Sequence, residues 1–218
     1  MEERATGILL QAIPYLGRGK ILKIFTPELG LLSLFSKRIS LSALGSPFCI
    51  AEWVYRKGTG DLHTFKDGTL LDGLLGLRQS YSHIEAASSI ARDLLRSQLP
   101  GKNAKGLYEL ARSYLQKLPE FERPEILSAS FRLKLLLHEG LIAIENTCTH
   151  CAAQPSFLVG GESYCPAHSP SPVSPFSRAE WETLHTLAYA RQFSLLNSQA
   201  PPRTLIEKIG RILDGFIE

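Results

Sequence analysis

Three of the four cysteines fall within residues 148–168, in CTHCAAQPSFLVGGESYCPAH, as Cys148-x2-Cys151 followed by Cys165-x2-His168. Two residues between ligands let one tight turn aim both donors at a single ion. Two such turns supply the four ligands of a tetrahedral zinc site. Gly160-Gly161, between Phe157-Leu158-Val159 and Ser163-Tyr164, predicts a two-residue hairpin that brings the turns together. Pro166 stiffens the second turn, and His150, inside the first, is expected to point away. The expected zinc ligands are therefore Cys148, Cys151, Cys165 and His168. Four protein ligands leave no open position, so the zinc is expected to be structural and not catalytic. The plain alternative is a reduced cysteine cluster without metal.

Motifs for covalent chemistry fail on inspection. His138-Glu139 begins a zinc-protease HExxH, but Ile142 stands where the second histidine belongs. His83-Ile84-Glu85 with Cys148-x2-Cys151 has the order of a deaminase set. Thr147 replaces its proline, however, and Cys165 and His168 would be left unexplained. No phosphate-binding loop is present: Gly19-Lys20 runs into Ile21, and Gly101-Lys102 into Asn103. No Gly-x-Ser-x-Gly elbow occurs. Cys49 lies in an apolar strand and reads as core. The expectation is a protein that is not an enzyme, with no catalytic residues.

The elements that must position the cluster change character near residue 78. Before it, ATGILLQAI, KILKIFT, GLLSLFSK, PFCIAEWVYRK and DLHTFK are short apolar runs separated by Gly, Pro and Asp-Gly turn signals. In LLSLFSK, Leu32, Leu34 and Ser36 take one face, and Ser33, Phe35 and Lys37 the other. Five such strands suit a small barrel, either a five-stranded OB-fold or an SH3-like barrel. After residue 80 the period becomes helical. Stripes run through 84–99, 107–118 and 122–141, the last with Pro124 at the first helical position. Trp181, Leu184, Ala188, Arg191 and Leu195 predict a fourth helix, and Leu205 to Phe216 a last one. SPSPVSPF (169–176) reads as an extended connector. The fold class is thus α+β: a barrel over 1–78, then an α-helical domain over 79–218 carrying the zinc knuckle at 148–168.

The chain has 218 residues and a net charge of +3, which excludes a histone-like polycation. Residues 1–78 hold ten Lys and Arg against seven Asp and Glu, a mild bias that suits either a nucleic-acid face or ordinary surface charge. No apolar run is long enough to span a membrane, and no signal peptide is read at the N-terminus. A cytosolic setting, where clustered cysteines bind metal more often than they pair, is the expectation.

The order of these pieces resembles one family across nearly the whole chain. PYLGRGKILKIFTPELGLLSLFSKRIS (14–40) is similar to the barrel of the bacterial recombination mediator RecO. In that family a strand ends in Thr-x-Glu-x-Gly and runs into a basic segment. Thr26, Glu28 and Gly30 stand in those places here, followed by Lys37-Arg38. SPFCIAEWVYRKGTGDLHTFKDGTLLD (46–72) is also similar. The resemblance implies an OB-fold that binds single- and double-stranded DNA, annealing of complementary strands, and help in loading recombinase onto gapped DNA. It implies RecR and the tail of single-strand-binding protein as partners, and a cytoplasmic, nucleoid-associated protein of recombinational DNA repair. Zinc occurs in some members. His168 departs from the fourth cysteine usual there, and ISLSALG replaces a stretch often richer in Lys and Arg.

For DNA, the candidate residues are Arg18, Lys20, Lys23, Lys37, Arg38, Arg56 and Lys57. Phe25, Phe35, Trp53 and Tyr55 are possible stacking platforms, about half of which must face the core. Arg92, Arg132 and Lys134 flank apolar helix residues that could receive an acidic, hydrophobic partner peptide. A zinc-stabilised protein-interaction adaptor without a direct DNA role is the alternative.

Overall fold

Alternation of apolar and polar residues builds the N-terminal strands. The computed structural model describes residues 2–15, 17, 19–37, 43–171 and 174–216, so Arg18 and Arg38 lie outside the described residues. Five strands form: β1 (Glu2–Tyr15), β2 (Gly19–Thr26), β3 (Gly30–Ser36), β4 (Ile50–Arg56) and β5 (Leu62–Asp72). They close in the order β1-β2-β3-β5-β4, with only the β3–β5 pair parallel. This is the expected OB-like barrel. β1 makes closure possible because it serves two partners. Glu2 to Ile8 pair with β4, and Ile8 to Tyr15 pair with β2, across a bulge between Leu9 and Gln11.

The barrel interior is filled by Leu9, Leu22, Ile24, Leu32, Leu34, Cys49, Ala51, Trp53 and Tyr55. The two large aromatics keep their polar atoms bonded, as burial demands. The Trp53 indole N–H donates to the Gly7 carbonyl at 3.1 Å, and the Tyr55 hydroxyl to the Glu3 carboxylate at 3.0 Å.

The chain divides into two compact units, Met1–Glu122 and Arg123–Glu218. The first holds the barrel together with α1 (Tyr81–Ser97) and α2 (Lys105–Lys117). Ser80 caps α1 by accepting from the His83 N–H. The His83 ring lies against the Ser80 hydroxyl and the Phe121 carbonyl, so its role is in packing. Phe25 sits under α2, 6.1 Å from the Tyr108 ring.

The Thr26-x-Glu28-x-Gly30 turn explains why these helices stay with the barrel. The Thr26 hydroxyl donates to the Gly30 carbonyl and accepts from the Leu29 N–H. Around it, Leu31 N–H donates to the Leu99 carbonyl, Gly101 N–H to Leu29, and Ala104 N–H to Pro27. Gly30 has φ +60, and a Cβ there would lie 2.3 Å from the Leu99 carbonyl oxygen.

The second unit is built on α3 (Pro124–His138), where Ile126, Leu127, Phe131, Leu133, Leu135 and Leu136 are all buried. A helix apolar on most of its circumference belongs at the centre of its unit. α4 (Arg178–Tyr189) and α6 (Arg203–Asp214) pack on it. The single helix expected through Trp181 and Leu195 is in fact two, because the chain leaves helical geometry at Ala190 (ψ 126) before α5 (Phe193–Asn197). The Lys134 ammonium holds the Ala190 carbonyl at that break. Between α3 and α4 lies a hairpin of β6 (Phe157–Val159) and β7 (Glu162–Tyr164). No helix among the described residues is long and apolar enough to cross a membrane.

Gly30→Ala is expected to destabilise the first unit by about 1–3 kcal/mol from the left-handed φ alone, and further through the clash with the Leu99 carbonyl. Urea unfolding followed by Trp53 fluorescence, with Trp181→Phe in both proteins compared, measures it. An unchanged midpoint would show that this turn does not hold the helices to the barrel.

Candidate metal centre and nucleic-acid surface

The Cys/His cluster is assembled by three local turns. Cys151 N–H donates to the Cys148 carbonyl and His168 N–H to the Cys165 carbonyl, which closes each x2 turn. The hairpin between them turns at Gly160-Gly161, both with positive φ (57 and 86), as a two-residue turn of this kind requires. Gly161 admits no side chain, because a Cβ would lie 2.1 Å from the Leu141 carbonyl oxygen.

Ser163 joins the hairpin to the chain before it. Its buried hydroxyl donates to the Ala143 carbonyl and accepts from the Glu145 N–H, and its carbonyl receives the Thr149 N–H and hydroxyl. Trp181 of α4 donates its indole N–H to the Glu145 carbonyl at 3.1 Å. The cluster is thereby tied to the helices of its own unit.

The four donor atoms of Cys148, Cys151, Cys165 and His168 lie within 4.8 Å of one another. Cys151 Sγ to Cys165 Sγ is 3.8 Å, Cys148 Sγ to His168 Nδ1 3.7 Å, and Cys165 Sγ to His168 Nδ1 3.4 Å. Zinc–sulfur bonds of 2.3 Å imply tetrahedron edges of about 3.8 Å between sulfurs, and slightly less to nitrogen. The donors therefore fit one tetrahedral ion. Electrostatics favour a thiolate as well. Burial raises the Cys148 thiol, but the N–H groups of Cys165, His150 and Cys151 and the His168 side chain bring it down to about 6. Cys151 is raised: its bond from Ala153 lowers it, but burial and the Cys165 and Cys148 sulfurs outweigh that. His150 is outside the donor set, its ring 5.6 Å from that of His168.

On the barrel, strand register sorts the DNA candidates. Ile13, Ile21, Phe35, Thr64 and Arg56 are paired in series across five strand positions, and Gln11, Lys23, Ser33 and Leu62 form the adjoining row. Lys23 donates to the Ser33 hydroxyl at 2.9 Å. These rows run around the outside of the barrel: Lys23 and Phe35 lie on the neighbouring strands β2 and β3, whereas Arg56 stands two strands beyond Phe35 on β4. The structure also adds Tyr15, 42% exposed, whose ring meets Phe35 edge-on at 5.9 Å. Phe35 has room because Gly19 lies beneath it, where a Cβ would be 2.8 Å from its ring. Sequence reasoning passed over Tyr15, although Gly19 directly opposite it in the hairpin was a usable signal.

The other candidates are placed apart. Tyr55 is 1% exposed and Trp53 and Phe25 fully buried, so none offers a face for stacking. Their parity in the closed barrel, or cover by α2, is the reason. Lys20 shares the parity of the interior residues Leu22 and Ile24 and is half-buried. Lys37 is exposed just beyond β3. Lys57 pairs with Glu3 at 3.2 Å. Of the partner candidates, Arg92 is exposed on α1 in the first unit, whereas Arg132 and Lys134 are half-buried on α3 in the second. Burial lowers the Lys134 pKa, and its head is engaged with Ala190. The Arg132 guanidinium lies against Gly210 of α6.

Known proteins converge on the same assignment. Models of the N-terminal and C-terminal regions of recombination protein O match residues 1–74 and 78–218. The chain is 27% identical over 227 positions to DNA repair protein RecO of Chlamydia pneumoniae, covering 100% of this chain and 90% of that one. It is 26% identical to DNA repair protein RecO of Chlamydia trachomatis over 227 positions, 100% of this chain and 93% of the other. To DNA repair protein RecO of Bacillus subtilis it is 26% identical over 159 positions, 71% of this chain and 62% of that one. The chain belongs to the recombination protein O (RecO) family.

Proposed function

We propose that this chain is a DNA-binding recombination mediator in recombinational DNA repair, acting in the bacterial cytoplasm at the nucleoid. The observation that carries the reading is the outer barrel surface, where exposed Tyr15 and half-buried Phe35 form an aromatic pair across β2, with Lys23 on that same strand and Arg56 exposed on β4. OB-type barrels bind single strands with such a face, bases stacking on aromatics while cations track the phosphates. Annealing needs no catalytic acid or base. It needs a surface that neutralises two backbones and releases their counterions. RecR and the tail of single-strand-binding protein are the proposed partners in loading recombinase. Arg92, exposed on α1, is the most accessible of the cations proposed for a partner's acidic tail.

We assign zinc to Cys148, Cys151, Cys165 and His168, because three sulfurs and one imidazole at tetrahedral spacing suit it best. Its contribution would be structural: it would clip the 148–168 segment against the Ser163–Glu145–Trp181 bonds.

Affinity for single-stranded DNA is expected to fall steeply with salt. Lys23→Ala with Arg56→Ala should reduce the log–log salt slope by about 1.4, for two phosphate contacts on a single strand. Phe35→Ala should weaken binding by about 1–3 kcal/mol while leaving that slope in place. Fluorescence anisotropy across a salt series checks both, and salt-independent affinity would favour the interaction-adaptor reading instead. Chelation, or Cys148→Ser, should release one equivalent of zinc per chain and lower the thermal midpoint of the second unit. Unchanged metal content and melting in Cys148→Ser would refute the structural zinc.

A further inference from the structure

One end of the barrel opens into a cavity of about 460 Å³, within the size range of small-ligand pockets. It lies where β1 begins and β4 ends, and the Lys57–Asp61 loop and Pro100 border it. Three of its features point to one kind of ligand.

The first is a ready-made stacking surface. The His63 ring lies parallel to the buried Tyr55 ring, at 8° and 5.4 Å between centroids. The Gly58 N–H donates to His63 Nδ1 at 3.3 Å, which fixes the ring. Gly58 is itself held by contact, since a Cβ there would lie 2.4 Å from the Leu62 carbonyl oxygen. The second is an anchored acceptor. Glu3 receives Lys57 on Oε1 at 3.2 Å and Tyr55 on Oε2 at 3.0 Å. Those bonds lower its pKa and keep it ionised. A carboxylate has about four acceptor positions, so each oxygen retains capacity for one more donor.

The third feature is location. His63 stands between Leu62 and Thr64, which pair with Ser33 and Phe35 of the outer aromatic face. Leu31 and Leu32 of β3 line the cavity, so a strand following β3 from Phe35 toward its start would reach it. Glu3 and Asp61 repel its phosphates, so what can enter is a base and not the backbone.

We propose that this cavity accepts one unstacked nucleobase of a bound single strand, with His63 as the stacking surface and the Glu3 carboxylate accepting from the base's amino group. Carboxylates accept from exocyclic amines, so cytosine, adenine and guanine are preferred over thymine. The proposal rests on the reading of the barrel as a DNA-binding surface and adds a second, base-directed contact to it.

The test uses the full chain with tetranucleotides carrying 2-aminopurine, whose fluorescence is quenched on stacking. Anisotropy of an end-labelled copy reports binding separately. Wild type should quench on binding. Because bases stacked on Tyr15 and Phe35 quench as well, the signal is read in a Tyr15→Leu/Phe35→Leu background, where His63→Leu should lose the remaining quenching and bind about five- to thirtyfold more weakly. His63→Phe, which also lacks the bond from Gly58, should retain both, so that stacking is separated from loop support. On the unaltered protein, oligo-dC should bind more tightly than oligo-dT, and Glu3→Gln should narrow the difference. Binding without quenching in the Tyr15→Leu/Phe35→Leu background, quenching retained when His63→Leu is added to it, or equal affinity for dC and dT would overturn the cavity's role and leave the barrel surface standing. Absence of any wild-type binding would overturn both.

Discussion

A closed five-stranded barrel gives each strand residue one of two addresses, inside or outside, and the inside must be filled. That constraint governs the rest of the first unit. Trp53 and Tyr55 are drawn in because β4 contributes its odd-numbered residues to the interior, together with Cys49 and Ala51. Once they are inside, their polar atoms must be satisfied, and Gly7 and Glu3 supply the acceptors. The same alternation leaves Phe35, Lys23 and Arg56 outside. The chemistry of the surface is therefore set by what the core does not need.

The second unit solves a different problem. Residues 141–171 carry little regular structure, and a hairpin of three-residue strands cannot hold itself together in water. Four donors around one ion would bring the two x2 turns together. One buried hydroxyl, that of Ser163, passes this order to the preceding segment, and the Trp181 indole passes it to α4. The donor cluster and the helix packing are joined through three hydrogen-bonded residues.

Much of this was legible in the sequence where the relevant contacts are local. The cysteine and histidine spacing, the Gly160-Gly161 turn and Pro124 at the start of α3 each depend on a handful of neighbouring residues, and the structure gathers the four donors, turns the hairpin at the two glycines and starts α3 at the proline. Inside-or-outside assignments were less legible, because parity in a barrel depends on register between strands far apart in the chain. Tyr55 looks like a surface aromatic until its place opposite Glu3 is known. Tyr15 looks like the end of a strand until Gly19 is seen to seat the Phe35 ring. The break at Ala190 was illegible for the same reason: the group that holds its carbonyl, Lys134, lies on another helix.

The turn at Gly30 carries a consequence for how the chain is born. Its backbone partners lie at residues 99–104, after α1 has been completed. A ribosome delivers the N-terminal segment first, at some 5–20 residues per second. All five strands are thus in hand about 1–6 seconds before the β2–β3 turn can find the carbonyls and amides that complete it. During that interval Phe25 lacks its cover from α2. The barrel is first in the chain, but it finishes folding only with the helices that follow it.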